Sequence, residues 1–140
     1  MLKKIGSIPL ALAVALLVAG LPAGLARALE PIYTVVDHPL PASAQRLSME
    51  EIRHAIMAAG AQRRWLFEAV GPDALLATQD ARGYTAKVKV TYSQKAYSIS
   101  LVATNLEQSG NEIHRRYNQW VRNLEKDIEV RLAVDALPSN

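Results

Sequence analysis

The sequence predicts an α+β fold: a two-layer sandwich with a short N-terminal helix, a three- or four-stranded antiparallel meander, and a long C-terminal helix packed on one sheet face. Three observations predict it. The middle of the chain alternates apolar and polar residues with period two, as in Tyr84, Ala86, Val88, Val90 and Tyr92 against Thr85, Lys87, Lys89 and Thr91. The last third places Ile113, Tyr117, Trp120, Leu124 and Ile128 at spacings of three and four, with Val121 and Leu132 widening the stripe. Ahead of both, Ser48-Met49-Glu50-Glu51 has the spacing of a capping box. Strands with one apolar face need one covering layer, and the amphipathic helix supplies it.

Taken in order, residues 1–28 read as a secretory signal. Lys3 and Lys4 precede an apolar run over 5–21, and small residues follow up to Ala26-Arg27-Ala28. Cleavage is expected after Ala28, leaving a periplasmic or secreted chain that begins at Leu29. An uncleaved inner-membrane anchor is the alternative; Pro9, Gly20, Pro22 and Gly24 break its helix. Residues 29–47 carry Pro31, Pro39 and Pro41 and are expected as an extended lead-in, with 32–36 along a sheet edge where proline is tolerated. A single domain is then expected over 48–137.

In that domain Met49, Ile52, Ile56 and Ala59 recur at helical spacing, and Gly60 is placed to end the helix. Trp65, Phe67 and Ala69 alternate with Leu66, Glu68 and Val70 before the turn Gly71-Pro72-Asp73. A short strand follows over 75–79, then the turn Asp80-Ala81-Arg82-Gly83 and the strand from Tyr84. After Ser93-Gln94-Lys95, Tyr97, Ile99, Leu101 and Ala103 alternate with Ser98, Ser100 and Val102. Ser109-Gly110-Asn111 is expected to start the long helix, with Glu112–Arg116 and Asp127–Arg131 as i,i+4 pairs.

Composition narrows the function classes. Sixteen Lys and Arg face thirteen Asp and Glu, but Lys3, Lys4 and Arg27 lie in the signal, which has no acid. The mature chain therefore carries thirteen charges of each sign, without the basic excess of a nucleic-acid binder or the polybasic tract of a membrane-surface protein. The chain has no cysteine. It offers no thiol for a lipid anchor, a disulfide or a thiolate metal site.

The run Ile113-His114-Arg115-Arg116-Tyr117-Asn118-Gln119-Trp120-Val121, followed by Leu124 and Ile128, resembles the closing helix of a family of small exported bacterial proteins, many of them lipoproteins. Residues 86–92 with Tyr97-Ser98-Ile99 and Asn105-Leu106 are similar to that family's central strands, and Ala55-Ile56 with Trp65 to its start. The resemblance spans about 32–132 and rests on an IHxxYNxW pattern. It implies an exported α+β protein and no assigned activity. The lipid-bearing cysteine of many members is missing here.

No catalytic constellation is evident. His38, His54 and His114 lack the i,i+3 or i,i+4 spacing that pairs imidazoles on a helix face, so no metal site is expected, and no residue pattern calls for a cofactor. His54 opposes the apolar stripe of its helix, and His38 sits beside Asp37 in a Pro-rich stretch; both read as inert. The catalytic candidates are His114 and Asn118, one helical turn apart at the start of the long helix. Their structural reading is hydrogen bonding to the backbone around 104–109; their functional reading is a general base and its orienter in a small envelope hydrolase or isomerase. The aromatic set, Trp65, Tyr84, Tyr92, Tyr97, Tyr117 and Trp120, reads mainly as core. A non-enzymatic role is the preferred expectation: an envelope protein that binds another protein or a cell-wall component through Lys87, Lys89, Thr91, Ser98 and Ser100 on the uncovered sheet face, or through an open strand edge.

Overall fold

The computed structural model describes residues 29–138; the expected signal over 1–28 lies outside them. The chain forms β1 (Leu29–Pro31), β2 (Val35–Pro39), a 3-10 turn (Ala42–Arg46), α1 (Met49–Ala61), β3 (Leu66–Gly71), β4 (Ala74–Ala81), β5 (Tyr84–Tyr92), β6 (Ala96–Thr104), β7 (Gln108–Ser109), β8 (Glu112–His114) and α2 (Arg115–Asp135). It is an α+β fold with two antiparallel sheets. The larger has the order β2-β6-β5-β4-β3, so the four sequential strands form a meander and β2 adds a fifth at its edge. The smaller ribbon has the order β1-β8-β7 and sits where the long helix begins.

The period-two strands fold as their alternation requires. Val88 and Val90 of β5, Leu75 and Ala77 of β4, and Tyr97 and Ile99 of β6 point inward and are fully or nearly fully buried. Against them α2 lays Tyr117, Val121, Leu124, Ile128 and Leu132, and α1 lays Ile52, Ala55, Ile56 and Ala59, all within one continuous core. Fully burying an aliphatic side chain of this kind contributes about 1.5–3 kcal/mol, which explains how a domain without disulfides holds together.

Several expectations are corrected. The 29–47 segment is not a lead-in outside a 48–137 domain. Val35, Leu40, Ala44 and Leu47 join the core, and β2 pairs with β6 (Val35 opposite Ile99, His38 opposite Tyr97). The edge strand is thus Val35–Pro39, not 32–36. Gly60 does not end α1, which continues to Ala61. A Cβ at Gly60 would stand 2.3 Å from the Phe67 ring, so any larger residue there would have to displace that ring, which packs the helix on β3. Arg64, at φ 69°, makes the turn instead.

On β6 the alternation changes phase. Val88 opposes Leu101 while Lys87 opposes Ala103, so a bulge at Val102–Ala103 turns both outward and puts Thr104 opposite Ala86. Ala103, expected on the apolar face, is exposed. Ser109-Gly110-Asn111 is the turn of the β7–β8 hairpin, with Gly110 at φ 58°, and not the start of α2. Neither expected i,i+4 pair carries over: Glu112 lies in β8, Asp127 pairs with Arg63 (2.7 Å), and Arg131 turns to Asp135 (3.0 Å).

Candidate functional site

Lys87, Lys89, Thr91, Ser98 and Ser100 share the sheet face opposite the helices. Their strand neighbours are buried inward except Leu101, which is half-buried, and the register sets Lys89 across from Ser100 and Thr91 across from Ser98. On the other side Lys89 opposes Leu76, which opposes Glu68, and Lys87 opposes Thr78, which opposes Leu66. The face is therefore less polar than its two central strands imply. Leu66 is 73 % exposed and Val102 49 %, with Leu76 half-buried between them. Neither lysine has an ion-pair partner among the described residues.

His114 and Asn118 make no hydrogen bond to each other; each side chain has other partners. His114 is the N-cap of α2, its Nδ1 accepting from the backbone N–H of Arg116 at 3.1 Å. Asn118 is fully buried, and both ends of its amide are spent on the N-terminal segment. Its Oδ1 accepts from the Tyr33 N–H (2.9 Å), and its Nδ2 donates to the Pro31 carbonyl (2.9 Å) and to Glu30 Oε1 (3.2 Å). Bonding to the 104–109 loop, the structural expectation for both side chains, is made only by the His114 backbone, which donates to the Glu107 carbonyl at 2.8 Å. Asn118 instead fastens the segment running from β1 to β2 onto the long helix.

Sequence reading missed His38. Its Nδ1 lies 2.9 Å from Glu125 Oε2, its Nε2 meets Glu129, and its ring stacks on Tyr97 at 5.0 Å and 22°. Tyr33 donates to the other Glu125 oxygen at 2.5 Å, and that bond holds the Tyr33 hydroxyl above the usual tyrosine range. Arg122 covers the Tyr33 ring at 4.5 Å. Burial, followed by the charges of Glu129 and Glu125, also raises the Tyr97 hydroxyl. Glu125 and Glu129, one turn apart, were the only local signal, and the histidine between them lies 87 residues away. The carboxylates meet opposite sides of one ring and share no point for an ion; among the described residues no three His, Cys, Asp or Glu side chains are grouped as a metal site.

Among the aromatics, Trp65, Tyr92, Tyr97 and Tyr117 are buried, whereas Tyr84 is exposed at the sheet end and Trp120 half-buried. His54 is exposed, as its helix position predicts. No described helix is long and apolar enough to cross a membrane. Comparisons with protein-family models, characterised proteins and solved structures find no match for this chain.

Proposed function

We propose that this is an exported, non-enzymatic envelope protein, akin to the small exported proteins its closing helix resembles, and that it docks an acidic protein surface on its open sheet face. One observation carries the reading. Two lysines without ion-pair partners stand at the centre of an uncovered face, bordered by Leu66, Leu76 and Val102 and by the hydroxyls of Thr91, Ser98 and Ser100. Apolar contact supplies affinity there, and the lysines select a partner with carboxylates in register. The commitment of Asn118 to the N-terminal segment weighs against a His114 base with Asn118 as orienter.

Crosslinked co-purification from the cell envelope tests this, comparing the unaltered chain with Lys87→Glu/Lys89→Glu. The charge reversal should remove a near-stoichiometric acidic partner while shifting stability by no more than about 0.5 kcal/mol, the usual range for surface changes. A partner retained at full yield rejects this face. Retention on isolated cell wall, with no protein captured, replaces the protein partner with a wall polymer.

A further inference from the structure

The start of α2 and the adjoining sheet end enclose a cleft of about 190 Å³ lined by Tyr84, Leu106, Glu107, His114 and Arg116. It is separate from the outer sheet face and has its own chemistry. Arg116 is held over the Tyr84 ring, 5.3 Å from its centroid, so its planar fork is already oriented. No carboxylate pairs with that guanidinium among the described residues, and the first turn of α2 holds no acid. Because His114 Nδ1 accepts from the Arg116 N–H, the neutral ring carries its proton on Nε2, which remains as its free donor. Glu107 also lines the cleft, and the buried Leu106 gives it an apolar surface.

We propose that this cleft binds a free α-amino acid. Arg116 takes the carboxylate through paired N–H donors, the His114 Nε2–H adds a third, Glu107 takes the ammonium, and Leu106 contacts a small side chain. The paired donors of a guanidinium take a carboxylate or a phosphate alike. The opposite charge of Glu107 distinguishes the site from a simple anion trap. The volume lies below the roughly 300–1,000 Å³ of pockets for drug-sized ligands, which fits a ligand of amino-acid size.

The test is an NMR titration of the protein isolated from cells expressing the full chain, following the Glu107 and Arg116 amides and the His114 ring. The probes are alanine, propionate (no ammonium), ethylamine (no carboxylate) and inorganic phosphate. Alanine should shift these signals saturably and bind more tightly than any other probe. Arg116→Met, which keeps the stem over Tyr84, should weaken alanine at least about tenfold, the worth of one charge-assisted pair. Arg116→Lys should recover only part of that loss, and Glu107→Gln should bring alanine down to the level of propionate. Unchanged melting of each variant excludes unfolding as the cause. Phosphate binding as tight as alanine, alanine binding undiminished in Arg116→Met, or no shift with any probe overturns the proposal.

Discussion

The meander and the N-terminal segment are held to the same long helix by opposite means. Strands β4 to β6 turn Leu75, Ala77, Val88, Val90, Tyr97 and Ile99 inward, and α2 covers them with Tyr117, Leu124, Ile128 and Leu132. The segment from Leu29 to Pro39 gives the core one buried side chain, Val35, with Ile32 and Tyr33 partly buried against it. It is fastened by polar contacts spanning 85 to 92 residues: Asn118 on Tyr33 and Pro31, Glu125 on Tyr33 and His38. Apolar packing is tolerant of detail, since many side chains share the load. A polar fastening is not, because each buried group left without its partner costs about 1–3 kcal/mol. The two regions should therefore respond differently to single substitutions.

The sharpest break in that comparison is Asn118→Ala. It strands the Tyr33 N–H and the Pro31 carbonyl in a partly buried site and should cost about 2–3 kcal/mol in urea unfolding. Amide exchange should rise first over 29–39 and only later in β4 and β5. Uniform loss of protection would mean the segment and the meander open as one unit.

His38→Ala comes next. It leaves Glu125 and Glu129 facing each other across an empty ring position and removes the stack on Tyr97, for about 1–2 kcal/mol at a half-exposed site. The loss should again concentrate on Val35–Pro39, read by exchange of those amides. An unchanged β2 would show that pairing with β6 alone retains the strand.

His114 offers the contrasting case of the same residue type. Its bond is local, two residues along the chain, and its removal costs one helix cap. His114→Ala should lower stability by about 1 kcal/mol, and His114→Asn should recover most of it. Thermal melts of the two variants check this, and the protection of β2 should not move in either.

The smallest effect belongs to Glu51, whose capping bonds with Ser48 hold its exposed carboxyl below the usual range. A lowered carboxyl contributes stability above its unfolded pKa, and that contribution is lost as the pH falls through the folded value. Glu51→Gln should therefore flatten the acid limb of stability slightly below about pH 4.3, the unperturbed glutamate value. Acid unfolding curves that superpose would assign the cap to the Ser48 hydroxyl alone.

Legibility follows the same divide. The capping box, the faces of β5 and the stripe of α2 are all periodic or local, and each is visible in the sequence. The β6 bulge was not, because an extra residue leaves no mark in a pattern that still alternates up to Leu101. Gly60 was misread for a related reason: its constraint is the Phe67 ring lying against it across a turn. Of the sheet-face residues, Lys87, Lys89, Thr91, Ser98 and Ser100 were readable by alternation, whereas Leu66 and Leu76 joined them only through strand register. The cleft at His114 needed Tyr84 and Arg116 brought together from 32 positions apart.

By itself, then, the sequence determined the α+β class, the order of its main elements and the core-facing side of β5 and of β6 up to Leu101, because side-chain period and turn chemistry act within a few residues. Only the tertiary structure decided that 29–47 belongs to the core, that Asn118 serves the N-terminal segment, and that His38 lies between two glutamates of the long helix. Those contacts, apolar for Val35, Leu40, Ala44 and Leu47 and polar for Asn118 and His38, join distant parts of the chain, and no local period encodes which group will meet which.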